Sequence, residues 1–236
     1  MNIAAVAAHP DDIELLCAGT LIKYIKKGHK VTFIIATNGE VGSPTLPNEE
    51  IAEIRYKEAQ KGAKIIGAEL IWLGYPDEFL FSNSETRLTF LNALRRAKAD
   101  VVFTHFIDYY NCDHNTVSTI TNDVGILQSV KNISTDYPPT KNNPYMYFMD
   151  TLCCIGFEPE EYVDITDVFE IKKKALMAHE SQYIWLKEHS KVDYIDMMET
   201  QAKIRGYQAG VKYAEAFKGV KAYPRVINKS LLPQYL

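Results

Sequence analysis

The sequence predicts an α/β fold: a mostly parallel sheet with helices on both faces, in a single domain spanning residues 1–236. Three observations predict it. Short apolar runs alternate with stretches of helical periodicity through the first half, the pattern of strands joined by crossover helices. The length of 236 residues suits one sizeable core. A hydrophobic content of 47% with 24% charged residues is that of an ordinary globular protein.

The strands expected are residues 3–7, 31–36, 70–73 and 101–104, joined by helices over 13–27, 49–66, 84–97 and 115–130. In the second helix Ile51, Ile54, Ala59, Ala63 and Ile66 follow the 3.6-residue period, and Gly67 supplies a left-handed cap. Such alternation gives a Rossmann-like sheet, with every strand-to-helix loop on its carboxyl edge. Residues 127–145, rich in Asn and Pro, read as a long loop and a lid over the site. Beyond it the aromatic run 145–157 and residues 162–165 read as strands. Asp167 caps a helix running toward His179, and a last helix is expected over 193–217. The Pro-interrupted tail, 221–236, is expected to pack on its own domain or on a neighbouring subunit.

Charge narrows the partners. Twenty-six basic residues against 30 acidic ones give a net charge of −4, which offers no electrostatic case for nucleic acid or an anionic membrane. Small neutral or polar ligands fit better. With no apolar run of membrane-spanning length and no secretory pattern at the start, a cytoplasmic protein is expected. Cys17, Cys112, Cys153 and Cys154 form no C-x-x-C pair and are expected to be reduced thiols. In a strand, Cys153 and Cys154 would point to opposite faces.

The chemistry gathers at the turn after the first strand, Ala7-Ala8-His9-Pro10-Asp11-Asp12-Ile13-Glu14. A second cluster, Asp108 to His114, follows the fourth strand. In doubly wound sheets the chain commonly reverses between the first strand and a later one, which leaves a crevice at their carboxyl ends. Both clusters would flank it. His9, Asp12 and His114 then supply two nitrogens and one oxygen, a set that suits Zn²⁺ with an open position for water and that Fe²⁺ or Co²⁺ can also use. Asp11, beside a ligand but aimed elsewhere, is placed to take a proton. The same His-x-x-Asp spacing also arises from a plain turn with an aspartate N-cap.

The motif Ala8-His9-Pro10-Asp11-Asp12-Ile13-Glu14, followed by Gly19-Thr20, resembles the signature of the LmbE/PIG-L family of zinc-dependent N-acetylglucosamine deacetylases. Further matches come in order: Thr37-Asn38-Gly39-Glu40 with Gly42, Arg55 with Glu58, Asp77, Asp113-His114, and Ala178-His179-x-Ser181-Gln182. They cover the chain to about residue 217. The resemblance implies that His9, Asp12 and His114 bind zinc, and that Asp11 is the general base activating a zinc-bound water against an acetamide carbonyl. It implies a small N-acetylated sugar as substrate, acetate and a free amine as products, and a homo-oligomer, trimeric or hexameric. The same correspondence puts Asn38, Arg55 and His179 among the substrate-binding candidates and Asp113 beside Asp11 among the catalytic ones.

One departure stands out. Where the family has His-Pro-Asp-His this chain has Asn111-Cys112-Asp113-His114, and an asparagine can donate a hydrogen bond but delivers no proton at neutral pH. Asn111 is therefore expected to serve as an oxyanion donor, with Tyr109, Tyr110, His105 or Asp11 itself returning the proton. Two alternatives stay open: a catalytically weakened zinc- and sugar-binding member of the family, and an amidase acting on another N-acyl small molecule.

Overall fold

The computed structural model describes residues 1–223 and 225–236. Seven strands form one sheet: β1 (Asn2–Ala7), β2 (Lys30–Thr37), β3 (Glu69–Tyr75), β4 (Val101–Thr104), β5 (Tyr145–Met149), β6 (Glu161–Asp164) and β7 (Ala214–Gly219), in the order β3-β2-β1-β4-β5-β7-β6. The first five are parallel, and β7 runs antiparallel to both β5 and β6. Alternate residues of β1 enter two different cores: Ile3 and Ala5 join Phe33, Phe103, Tyr147 and Phe217 on one face, whereas Ala4 and Val6 join Ile34, Phe90, Leu94 and Val102 on the other. A strand covered on both faces has no polar side, which is why β1 reads as an unbroken apolar run.

Among the described residues, eight α-helices complete the fold: α1 (Asp12–Leu16), α2 (Ala18–Lys26), α3 (Asn48–Ile66), α4 (Ser84–Ala97), α5 (Cys112–Gly125), α6 (Phe169–Leu176), α7 (Glu180–Trp185) and α8 (Tyr194–Ala209). None is long and apolar enough to cross a membrane. The chain builds β1, β2 and β3 outward in one direction, then returns to lay β4 on the other side of β1. The direction therefore switches between β1 and β4, and the loops leaving those two strands face one crevice.

Asp167 does not cap α6, which starts after Val168; its carboxylate pairs with Lys23 Nζ (3.1 Å) and Lys26 Nζ (3.3 Å) instead. Four further expectations need correction. The helix over 13–27 is two helices broken at Cys17 (φ −144°, ψ 4°). The break frees the first N–H groups of α2, and buried Glu215 accepts from Gly19 N at 2.9 Å and Thr20 N at 2.7 Å while pairing with Lys172 Nζ at 2.5 Å. The strand over 145–157 ends at Met149, after which Cys153 (φ 56°) and Cys154 (φ 60°) form a left-handed turn; all four cysteines are free. The helix over 193–217 stops at Ala209 with Gly210 as a left-handed cap (φ 72°), so that Ala214–Gly219 can pair between β5 and β6. An apolar aromatic run fits either period, and here the sheet's open edge decides the outcome.

The last correction concerns the lid. The segment between α5 and β5 enters the sheet at the amino end of β5, opposite the crevice, and so covers no site. It is wound around Arg95, which is 1% exposed. That guanidinium donates to the carbonyls of Val130 (2.6 Å), Ile133 (2.8 Å) and Gln128 (3.2 Å) and to Thr135 Oγ1 (2.7 Å). The tail packs on its own domain: Tyr24 Oη donates to Leu231 O at 2.7 Å, Leu231 N to Tyr147 Oη at 3.0 Å, and Leu232 is fully buried.

Candidate active site and metal centre

The turn after β1 carries its two aspartates on very different backbones. Asp11 sits in the left-handed region (φ 107°, ψ −24°), a conformation that costs a non-glycine residue energy and turns its side chain away from that of Asp12. Asp12 opens α1, and its Oδ2 accepts from His9 N at 2.7 Å, which closes the turn on itself.

His9, Asp12 and His114 converge on one point. His9 Nδ1 lies 3.1 Å from His114 Nε2 and 3.4 Å from Asp12 Oδ2, and His114 Nε2 lies 3.3 Å from Asp12 Oδ1. Two imidazole nitrogens and a carboxylate facing one another in a buried space form a donor set that a divalent ion satisfies. The outer atoms of the set are held too. His9 Nε2 lies 3.2 Å from Asp77 Oδ1 and 3.6 Å from Asp113 Oδ2, and the His114 ring stacks on His105 (3.9 Å, 13°) and on Tyr109 (5.1 Å, 6°).

The electrostatics separate the two aspartates. Burial pushes Asp12 up, but His114 and His105 outweigh it and hold its carboxyl well below the usual range. Burial also acts upward on Asp11; the nearby Arg55 opposes it only in part, and the carboxyl comes to about 7. One is a fixed anion, and the other is poised to accept and release a proton near neutrality. Burial acts downward on His9, but the carboxylates of Asp113, Asp12 and Asp77 around the ring outweigh that and raise it well above the ordinary imidazole value.

Arg55 on α3 reaches this turn from below. Its Nη2 donates to Pro10 O at 2.7 Å and lies 3.6 Å from Asp11 Oδ2, and its Nη1 donates to Gly39 O at 3.3 Å. Gly39 takes φ 67°, and a Cβ there would collide with the guanidinium. Glu58, one helical turn on, accepts from Ser181 N (2.8 Å) and Ser181 Oγ (2.6 Å), so α3 carries α7 as well. Gly62, a further turn along, has no room for a side chain against buried Glu14 and His179.

Several candidates have other occupations. His179 is fully buried behind the turn, 3.3 Å from Glu14 Oε1, and does not line the crevice. Asn38 closes its own turn, accepting from Glu40 N at 3.1 Å and donating to Glu40 Oε2 at 3.0 Å. Asn111 is the N-cap of α5: its Oδ1 accepts from Asp113 N (2.9 Å) and His114 N (3.0 Å), and its Nδ2 donates to Glu78 Oε1 at 3.2 Å. Asp113 is completely buried and accepts from Glu78 N at 2.8 Å and Leu80 N at 3.3 Å, so its carboxylate pins the loop after β3. Tyr109 lies behind His114, its hydroxyl accepting from Leu152 N at 3.3 Å, and burial raises its pKa. His105 Nε2 lies 3.0 Å from Ala8 N and 3.3 Å from Asp12 Oδ2, and burial with the neighbouring His114 brings the ring down to about 4, so it is neutral.

A pocket of about 460 Å³ opens above the cluster. His9, Asp11, Asp12 and His114 form its floor, Val41, Glu78 and Tyr110 its rim, and Leu152, Trp185, Leu186, Val192 and Met197 its outer wall. Apart from Leu152, that wall comes from the end of α7, the start of α8 and the bend between them, which holds a π turn at Leu186–Ser190 and has no counterpart among the site residues expected from sequence. The signal available was the apolar run Tyr183-Ile184-Trp185-Leu186 followed by the polar Lys187 to Lys191. Glu78 was missed as well. It sits at φ 64°, one residue after Asp77.

The sequence profile of a family described as GlcNAc-PI de-N-acetylase (PIG-L) matches residues 4–124. The chain is 24% identical over 232 residues to a diacetylchitobiose deacetylase of Thermococcus kodakarensis, covering 93% of this chain and 83% of that protein. It is 22% identical to a 4-oxalmesaconate hydratase of Pseudomonas putida, covering 94% and 89% of the two chains. Among solved structures, the N,N'-diacetylchitobiose deacetylase of Pyrococcus horikoshii superposes with a TM-score of 0.80 at 26% identity, covering 92% of this chain and 83% of that one.

Proposed function

The chain belongs to the PIG-L family of GlcNAc-PI de-N-acetylases, and from that premise we propose that it is a metal-dependent hydrolase, served by zinc, that removes the N-acetyl group from an N-acetylglucosamine-type sugar. The observation that carries this reading is the division of labour at the β1 turn. Three donor atoms converge on one point, and a fourth group, the buried Asp11 carboxyl held 3.6 Å from Arg55, stands beside them and outside the donor set.

His9, Asp12 and His114 would hold the ion, which when bound supplies a Lewis acid for the amide carbonyl and for the attacking water. The remaining work falls to the chain. Asp77 and Asp113 fix the His9 ring from its far side. Asp11 takes the proton of the attacking water as its oxygen bonds to the carbonyl carbon, then returns that proton to the nitrogen as the C–N bond breaks. The products are acetate and an amine. Asp11 serves in both steps because the other proton carriers at hand are committed: the Tyr109 hydroxyl is held at Leu152 and His105 is neutral, while the Asn111 amide caps a helix and has no proton to give at neutral pH. Arg55 positions Asp11 and tempers its basicity.

The test is acetate release by the zinc-loaded protein from N-acetylglucosamine and N,N'-diacetylchitobiose. His9→Ala and Asp12→Ala should lose both metal and turnover, whereas Asp11→Asn should keep metal and lose turnover. Near-full activity in Asp11→Asn would overturn the assignment of the base.

A further inference from the structure

Resting on the deacetylase reading for the position of the acetamide, we infer that the pocket selects an uncharged sugar or glycoside and rejects conjugates carrying a phosphate or carboxylate, with Glu78 as the selecting residue. The charges lining the pocket are four carboxylates, Asp11, Asp12, Asp77 and Glu78, against one cation, Arg55. Arg55 is 3% exposed and its Nη1 and Nη2 serve Gly39 O, Pro10 O and Asp11, so its charge is held against the floor and is not presented at the rim. With a divalent ion on the floor the lining still carries no net positive charge, whether Asp11 is ionised or replaced by asparagine, so the rim carboxylate of Glu78 sets the sign an incoming group meets.

The lysines nearest the rim turn away from it. Lys187 Nζ lies 5.3 Å from the Tyr183 ring centroid and bonds the Tyr183 hydroxyl, and Lys191 Nζ donates to Glu188 O at 2.8 Å. Neither lines the pocket. What a substrate meets beyond the floor is the indole of Trp185, the ring of Tyr110, which is 80% exposed, and the Glu78 carboxylate. Aromatic faces with one carboxylate suit a saccharide, whose C–H surface packs on rings and whose hydroxyls donate to an anion. The same set repels a phosphate.

Glu78 is held for this purpose. Its N–H is tied to buried Asp113 at 2.8 Å, which keeps the residue at φ 64°, and its two carboxylate oxygens sit 3.2 Å from Asn111 Nδ2 and 3.2 Å from Cys112 Sγ. The asparagine at position 111 thus orients the rim carboxylate.

Binding can be read without turnover. Zinc-loaded Asp11→Asn protein is titrated calorimetrically with methyl N-acetyl-glucosaminide and with N-acetylglucosamine 1-phosphate, and inorganic phosphate is run alongside to measure binding to the ion alone. The neutral glycoside should bind at least about tenfold more tightly than the phosphate, the scale expected of a like charge at a partly shielded rim. Adding Glu78→Gln should shrink that ratio and Glu78→Lys should reverse it; the isosteric Gln variant guards against loss of folding. Equal or tighter binding of the sugar phosphate to the parent protein, or a ratio that ignores residue 78, would overturn the inference. Wild-type acetate release decides the other matter: selective binding with no release from any sugar would remove the deacetylase reading and leave the selectivity standing.

Discussion

Arg55 lies 3.6 Å from Asp11 and at the same time holds the carbonyls of Pro10 and Gly39, so one buried guanidinium sets the position of the proton-carrying carboxylate and of the loop beside it. Lysine offers one point of attachment where arginine offers a planar fork. Arg55→Lys should therefore keep the metal, since none of the three convergent donors touches residue 55, while kcat/KM falls by roughly 10²-fold through misplacement of Asp11. Parallel measurement of zinc content and acetate release checks both halves.

Asn111 gives a sharper choice. As an oxyanion donor its loss would cost roughly 10²–10³ in rate with little effect on stability. As the N-cap of α5, Asn111→Ala costs about 1 kcal/mol of stability, whereas Asn111→Asp or Asn111→Ser restores it. The structure favours the cap, so a large fall in kcat with unchanged unfolding midpoint would refute that assignment.

Beneath the site, Lys172 and Glu215 form a buried pair that also holds the N-terminus of α2 and Leu15 O. Removing one partner strands a charge in the core. Lys172→Met or Glu215→Gln should each cost about 3–5 kcal/mol by denaturant titration, and the double variant less than the sum of the two.

His179 provides a dependence on pH. Burial acts downward on its ring, but Glu14 and then Asp11 outweigh it and raise the pKa above the ordinary 6.5. A group whose folded value is raised contributes stability that is fully present below its unfolded pKa and is lost as pH rises through the folded one. The stability advantage of wild type over His179→Gln should thus be greatest near about pH 5.5 and shrink toward about pH 8.5. A gap that widens with rising pH would mean the ring is neutral in the fold.

Much of this was legible in the residues themselves. The first four strands and the crevice between the first and a later strand follow from alternating periods. The His-x-x-Asp spacing at the His9 turn fits a plain capped turn equally, and it was the resemblance of the whole motif to a family signature that marked it as a site. What was not legible depends on distant partners. Ala214–Gly219 is a strand because β5 and β6 leave a gap for it, and residues 193–217 carry no local mark of that. Asn111 could be seen as a substitution, but its capping role needed the backbone. The outer wall, from Trp185 to Met197, reaches the site only because Glu58 clamps α7 to α3 across more than a hundred residues of chain. The misplaced lid was an error of topology: a helix-to-strand segment belongs at the amino edge whatever its length.

That segment has its own lesson. Arg95 meets no carboxylate among its bonds; its charge is spread over backbone oxygens from Gln128 to Ile133 and a threonine hydroxyl. The chain there acts as a crown ether does, wrapping a cation in neutral oxygens. The identity of the loop's side chains matters little to such a host, whereas the five N–H donors of the guest cannot be supplied by lysine. The far edge of the sheet is therefore free to vary in sequence and bound to keep its shape, for as long as position 95 remains arginine.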